Sequence, residues 1–392
     1  MRLALVAGEA SGDLLAALML QGLKQTWPGL TSGGIGGPRM VQQGLEAWAP
    51  SERLSVFGYV DAIKRLPELL WLRHRTQKRI LRERPDVFVG VDAPDFNFGL
   101  ETALRQRGVR TVHFVCPSIW AWRPERVQRL RAAADHVLCL FPFEPALLAS
   151  HGVAATYVGH PLADAIDLQV DRGAARQSLG LDGRLAAQAP HSVDAPRFGP
   201  TSVVALLPGS RRAEIRHIAP LLVASAQEML RQRSDLRFVL PVAPGLEDLL
   251  TPIVQPLVEG GHLTLLAGRA HEAMACADVA LVASGTATLE AALLKCPQVI
   301  VYRLAPADWH RMRRMRLQPW VGLPNILSRE FIVPERIQDE ARPELVAGDA
   351  LRWLDDAAAV DRYRARCLEM HQQLRQNTGA RAAQALKEVV GE

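Results

Sequence analysis

Short apolar runs alternate with helix-patterned stretches along almost the whole chain, and that alternation constrains the fold more than any other feature. Leu3–Ala7, Val87–Val91, Val109–Val115, His136–Leu140 and Ala155–Val158 read as strands, with helical stretches between them. A second series follows a break: Val203–Leu207, Arg237–Val242, Leu263–Leu266, Val279–Val282 and Gln298–Tyr302. A strand that passes through a helix into the next strand returns parallel to the first. Such a chain builds parallel sheets covered by helices on both faces. The break, Gln177–Thr201, mixes Gly, Pro, Ala, Asp and His without a period and reads as a linker or surface loop. With 392 residues, against ~100–150 for a common domain, two doubly wound α/β halves are the natural division. The expected organisation is a first domain over 1–170, a linker or surface loop over 171–201, a second domain over 202–346, and C-terminal helices over 347–392.

Composition removes several classes. At 48% apolar and 22% charged, the chain has the make-up of an ordinary globular protein. Its longest stretch without a charged side chain, Pro145–Ala163, holds two prolines, two histidines and two glycines, so it is no membrane-spanning helix. Met1 runs at once into a β-like segment, so no secretory signal peptide is expected. The five cysteines are scattered and form no CxxC pair, which argues against a disulfide framework and a cysteine zinc site and for a cytosolic setting. Net charge is +5, and only five of the 46 basic residues are lysine. Arginine suits bidentate contact with phosphate, but a compositional bias of the source genome accounts for most of such an excess, so local clusters carry more weight than the total.

Open α/β sheets bind ligands beyond the carboxyl ends of their strands, so the loops there are where chemistry is expected. The first strand is followed by Gly8-Glu9-Ala10-Ser11-Gly12-Asp13, whose glycines permit a tight turn and whose Ser11 or Asp13 can cap the next helix. Gly8, Glu9, Ser11, Gly12 and Asp13 are candidate substrate-binding residues; a plain strand-to-helix turn is the alternative. Gly33-Gly34-Ile35-Gly36-Gly37-Pro38-Arg39 reads as a second glycine-rich turn. Asp92-Ala93-Pro94-Asp95-Phe96-Asn97 sets two acids and an amide at a strand end, where Asp92 can serve as a general base and Asp95 as a base or a helix cap. Trp120 and Trp122 beside Arg123 form either a platform for a sugar ring or packing behind the loop. His160, in Gly159-His160-Pro161, either orients a ligand or satisfies a local carbonyl.

The second half opens with Leu206-Leu207-Pro208-Gly209-Ser210-Arg211, ahead of a long helix that Glu214 begins. Free backbone N–H groups at a helix start, with Gly209, Ser210 and Arg211 beside them, suit a pyrophosphate. Glu214 reads equally as an ordinary first-turn acid. Ser284, Gly285 and Thr286 open another helix in the same manner, and Glu290, about one turn in, can accept hydrogen bonds from a ribose diol. Two such helix starts in one domain point to a nucleotide site. No His/Cys/Asp/Glu group has metal-ligand spacing, so neither a metal nor another cofactor is expected. Neither Ser210 nor Ser284 lies in a G-x-S-x-G context, so a serine hydrolase finds little support.

These loops, together with Gly37-Pro38-Arg39-Met40, Pro117-Ser118-Ile119-Trp120-Ala121-Trp122 and Ser284-Gly285-Thr286-Ala287, occur in an order and spacing that resembles the lipid-A-disaccharide synthase family from Leu3 to about Leu374. The resemblance implies two Rossmann-like domains facing a cleft, the GT-B arrangement of glycosyltransferases, with a helical C-terminal tail. It implies a peripheral enzyme on the cytoplasmic face of the bacterial inner membrane. The reaction joins UDP-2,3-diacylglucosamine to 2,3-diacylglucosamine 1-phosphate (lipid X), giving the β-1,6-linked lipid A disaccharide and UDP with inversion at the anomeric carbon. The family's catalytic aspartate matches Asp92, its essential arginine matches Arg211, and its asparagine near the uridine matches Asn325. A homodimer is implied by the same likeness. The family often has Thr where Ala10 stands, and the linker over 181–200 is longer than usual.

Acylated substrates require contact with a bilayer surface. Val60–Leu81 offers apolar Ile63, Leu66, Leu69, Leu70 and Trp71 with basic Lys64, Arg65, Arg73, Arg75, Lys78 and Arg79, the make-up of a surface-lying amphipathic helix. A core-facing helix with a solvated basic side is the alternative. Trp309, Arg311, Met312, Arg313, Arg314, Met315 and Arg316 form a second basic and apolar cluster. Two other classes compete. A UDP-N-acetylglucosamine 2-epimerase of related fold has no use for a lipid-facing surface. A nucleic-acid-binding protein would place aromatic residues among clustered arginines, whereas these arginines are dispersed.

Overall fold

The computed structural model describes residues 1–54, 58–181, 202–304 and 306–391, with side chains at 58–64, 306–308 and 311 left out. The linker expected over 171–201 lies outside the described residues from 182 on; before that, Arg172–Ser178 is a helix. The chain divides into two compact units. One comprises Met1–Ala165, Met315–Leu317 and Gln372–Glu392; the other comprises Ile166–Arg314 and Gln318–His371.

The strands of the first unit are β1 (Arg2–Ala7), β2 (Thr31–Gly36), β3 (Leu45–Pro50), β4 (Val87–Val91), β5 (Thr111–Phe114), β6 (His136–Cys139) and β7 (Ala155–Tyr157). Its helices are α1 (Ala10–Thr26), α2 (Pro38–Gln42), α3 (Gly58–Glu83), α4 (Pro94–Arg105), α5 (Arg126–Ala133), α6 (Glu144–Ala149) and α7 (Pro161–Ala165). All seven strands are parallel, in the order β3-β2-β1-β4-β5-β6-β7. The second unit begins with α8 (Arg172–Ser178) and continues with β8 (Val203–Leu207), α9 (Arg212–Gln232), β9 (Arg237–Val242), α10 (Glu247–Glu259), β10 (Leu263–Ala267) and α11 (Ala270–Cys276). It then runs through β11 (Val279–Ala283), α12 (Thr286–Leu293), β12 (Gln298–Tyr302), α13 (Pro306–Met315), α14 (Leu323–Ser328), β13 (Glu335–Ile337), α15 (Pro343–Asp355) and α16 (Ala357–Leu374). Its six strands are parallel in the order β10-β9-β8-β11-β12-β13. The final helix, α17 (Thr378–Val390), packs on α1 in the first unit.

The central strands β4, β8 and β11 are buried at every residue, because helices cover both faces of each sheet. Two strands of the first unit depart from the sequence reading. The segment taken as a glycine-rich turn, Gly33–Arg39, lies in β2 as far as Gly36, and β3 follows it. Glycine is required there rather than disruptive: a Cβ on Gly33 would meet the Trp48 ring at 2.8 Å. The short edge strand β13, with sequence Glu-Arg-Ile, also carries no apolar run to announce it.

Candidate functional site

In both sheets the strand order reverses direction at one place, between β1 and β4 and between β8 and β11. Loops diverge there and leave a crevice at the strands' carboxyl ends. Gly8–Asp13 and Asp92–Asn97 follow β1 and β4; Pro208–Glu214 and Ser284–Glu290 follow β8 and β11. The structure therefore sets these four loops in two groups, one at the switch point of each unit, whereas Trp120 and Trp122 follow β5, His160 follows β7 and Asn325 lies on α14.

In the first unit Gly8 and Gly12 are buried, while Glu9 and Ser11 are half-buried at the start of α1. A Cβ on Gly8 would meet that of Ala93 at 2.9 Å, so the loops after β1 and β4 pass in contact. Asp92 is half-buried and has a left-handed backbone (φ 48°), as does Ala93 (φ 43°). The Asp92 N–H donates to Phe114 O at 2.9 Å, continuing the ladder to β5. Asp95 is neither cap nor buried base: Ala93 holds the N-cap position of α4, and the exposed Asp95 carboxylate pairs with Arg126 at 2.9 Å.

Four candidates in this unit are engaged within the fold. The buried Asp13 does not cap its own helix; its carboxylate accepts from the N–H groups of Gly37 (2.8 Å), Arg39 (3.0 Å) and Met40 (3.0 Å), capping α2 and tying it to α1. His160 is buried, its Nδ1 accepts from Leu162 N–H at 3.3 Å, and burial lowers its pKa to about 3, so the ring stays neutral. Trp120 packs edge-on against Phe141 and Phe143 and donates from Nε1 to Glu144. Trp122 lies under the guanidinium groups of Arg123 and Arg126 at 4.4 and 5.4 Å.

In the second unit Gly209 has φ 102°, and a Cβ there would meet the Glu214 carboxylate at 2.3 Å. That carboxylate accepts from the N–H groups of Ser210 (3.0 Å) and Arg211 (3.2 Å), so the donors expected to be free for a pyrophosphate are capped within the loop. The Arg211 side chain is 52% exposed, with its guanidinium 3.6 Å from Glu214. Ser284 is half-buried, and Gly285 and Thr286 are exposed at the start of α12. Glu290, one turn in, takes a hydrogen bond at 2.8 Å from His271 Nε2 on α11. Nothing in the sequence singled out His271, which stands 19 residues from its partner. Asn325 is fully buried, and its amide is spent within the unit. Its Nδ2 donates to Val333 O and Glu335 Oε1, and its Oδ1 accepts from Ile332 and Val333 N–H. It therefore shapes the loop around α14 and cannot touch a ligand without moving. Among the described residues no group of three or more His, Cys, Asp or Glu side chains is gathered to hold a metal ion.

With this geometry established, similarity to known proteins decides the family. The model of the lipid-A-disaccharide synthetase family matches residues 3–389. The chain belongs to that family. A lipid-A-disaccharide synthase from Thiobacillus denitrificans is 51% identical over 383 residues, covering 97% of this chain and 98% of its own. Among solved structures, the UDP-GlcNAc 2-epimerase of Neisseria meningitidis bound to UDP-GlcNAc superposes with a TM-score of 0.62 at 11% identity over the whole of both chains. The calicheamicin glycosyltransferase CalG4 superposes with a TM-score of 0.59 at 13% identity, covering 100% of this chain and 98% of its own. At those identities the structures show the shared fold alone, two Rossmann-like domains of the GT-B kind. Family membership makes the chain an enzyme that forms the lipid A disaccharide.

Proposed function

We propose that the chain transfers 2,3-diacylglucosamine from its UDP ester to the 6-hydroxyl of 2,3-diacylglucosamine 1-phosphate, with Asp92 as the general base. The hydroxyl proton passes to the Asp92 carboxylate as the oxygen bonds to the anomeric carbon. The bond from that carbon to the diphosphate breaks on the opposite side, inverting the centre and releasing UDP. Arg211 and the helix start after β11 counter the charge that grows on the departing diphosphate. Glu290, oriented by His271, takes the ribose hydroxyls.

The observation that carries this reading is the coincidence of the two chemistry-bearing loop pairs with the two switch points. The acid-bearing loop follows β4 in one unit, and the arginine- and hydroxyl-bearing loops follow β8 and β11 in the other. Likeness to an epimerase extends to the fold and brings no sugar-ring chemistry with it.

Membrane contact belongs to the same reading. On α3 the exposed residues Leu66, Leu70 and Trp71 are followed by exposed Arg75 and Lys78, a stripe at helical spacing. Such a stripe lays its apolar end among lipid headgroups and its basic end on anionic phosphates. Leu69, partly buried, packs instead against the core of the first unit, and Arg65 and Arg79 are engaged in ion pairs with Glu68 and with Glu83 and Glu46. No helix among the described residues is long and apolar enough to cross a membrane.

The test is incubation with both glycolipids in mixed micelles and mass detection of the coupled product. Asp92→Asn is expected to keep UDP affinity within about twofold while turnover falls by ~10²–10⁴. Coupling at the wild-type rate by that variant removes Asp92 from the chemistry.

A further inference from the structure

Beneath the candidate base lies a side chain that the proposed chemistry leaves unused. Asn97, on the first turns of α4, is fully buried. Its Nδ2 donates to the carbonyl of Asp92 at 2.8 Å and reaches those of Val6 at 3.2 Å and Val91 at 3.3 Å. These carbonyls sit where β1 and β4 end, so one amide spans both sides of the switch point. Its Oδ1 is buried without a hydrogen-bond partner. The orientation is therefore dictated by the donor side, since an unpaired buried acceptor is unfavourable unless the opposite end is strongly held.

What the amide holds is a strained turn. Asp92 and Ala93 are consecutive non-glycine residues with left-handed φ of 48° and 43°. Such conformations persist only where the surroundings enforce them, and they gather at functional sites. Phe114 O holds the N–H of Asp92 at 2.9 Å, and Asn97 holds its carbonyl. The peptide groups on both sides of the Asp92 Cα are thus pinned, which fixes the point from which its carboxylate departs.

We propose that Asn97 is a positioning residue that locks the left-handed Asp92–Ala93 turn and thereby places the Asp92 carboxylate for proton transfer. The inference rests on the reading of Asp92 as the base. It predicts a defect in turnover rather than in donor binding, because the uridine-diphosphate residues lie in the other unit. It also predicts suppression by a residue that adopts the left-handed turn without strain, which Gly at position 93 does.

Steady-state kinetics on the full chain with both glycolipids test this, alongside UDP titration and thermal unfolding. Asn97→Ala is expected to lower kcat about a hundredfold, the scale of a misplacement of roughly 1 Å, with donor KM and UDP affinity within about twofold. Adding Ala93→Gly is expected to recover about tenfold of that loss, which simple core damage would not allow. Should Asn97→Ala fail to fold, Asn97→Ser, which keeps one hydroxyl donor, is carried through the same series. Wild-type kcat in a folded Asn97 variant overturns the proposal. So does a loss of kcat that Ala93→Gly leaves unchanged, or one matched by loss of UDP affinity. Asp92→Asn run in parallel separates the two readings. If it retains turnover, the base assignment falls and Asn97 with it; if it is inactive while Asn97→Ala is unimpaired, only the positioning role falls.

Discussion

The indole N–H of Trp120 donates to the Glu144 carboxylate at 3.0 Å, joining the loop after β5 to the first turn of α6. Glu144 is fully buried and also accepts from Phe141 N–H at 3.0 Å. Burial raises its pKa from 4.5 to about 8, so the folded chain keeps a proton that the unfolded chain gives up. The stability it contributes is full below pH 4.5, declines as pH rises, and is gone above about pH 8. His160 has the opposite sign: burial lowers its pKa from 6.5 to about 3, and its contribution is lost as pH falls through that window. Of the two, only Glu144 acts above pH 6.5. Urea unfolding between pH 6.5 and 8 is expected to show a decline on the order of 1–2 kcal/mol. Glu144→Gln is expected to flatten it, though less stable at the start because one N–H donor loses its acceptor. An unchanged slope in that variant refutes the assignment.

Arg211 stands half out in solvent, so its removal tests binding with little effect on folding. A guanidinium–phosphate contact is worth about 1.5–3 kcal/mol, and 1.4 kcal/mol is a factor of ten. Arg211→Ala is therefore expected to weaken UDP binding roughly 10–100-fold by calorimetry with an unchanged melting temperature. Arg211→Lys should fall between the two, because a point charge loses the bidentate geometry. Equal affinity in all three proteins would place the diphosphate elsewhere.

The strands that sequence reading locates to the residue, β4, β8, β9 and β12, owe their clarity to burial on both faces, which writes them as continuous apolar runs. β2 escapes because its packing requirement is the absence of side chains, under Trp48 at Gly33 and against Leu5 O at Gly34. β13 escapes because its value lies in polar groups. Glu335 accepts from Val321 and Gly322 N–H, and Arg336 pairs with Asp349. A short charged edge strand leaves no hydrophobic period to read.

The candidate loops stand out in the sequence because they place glycines, hydroxyls and acids directly after strand ends, where open α/β sheets bind ligands. Their division of labour is not. Asp13 caps a helix that starts 25 residues later in the chain, and Glu214 caps the loop that precedes it; only coordinates reveal which carboxylates are already engaged. The same limit hides the Asn97 contact with Val6, which spans 91 residues.

Asn325 illustrates how that distinction can be measured. Its amide satisfies two backbone N–H groups, one carbonyl and the Glu335 carboxylate, all in the interior. Asn325→Ala strands those partners, which is expected to lower stability by roughly 2–4 kcal/mol in urea unfolding. Asn325→Asp is expected to be worse, since it sets a second carboxylate against Glu335. A variant that keeps its stability yet loses UDP affinity would make Asn325 a contact residue instead.

The stripe on α3 gives a test of membrane contact with an internal control. Leu66, Leu70 and Trp71 are 49%, 48% and 51% exposed, so replacing all three with Glu leaves the core intact. Each exposed apolar side chain buried in lipid contributes up to ~1.5–3 kcal/mol, and each basic residue near an anionic surface about 1 kcal/mol. Flotation with vesicles rich in phosphatidylglycerol is expected to show at least tenfold weaker binding for the triple variant. Arg75→Glu/Lys78→Glu should weaken binding to those vesicles and make no difference on neutral phosphatidylcholine. Leu69→Glu behaves differently, because that side chain packs against the core of the first unit. It should lower the melting temperature, whereas the triple variant should not. Wild-type flotation by the triple variant would show that this face of α3 does not meet the bilayer.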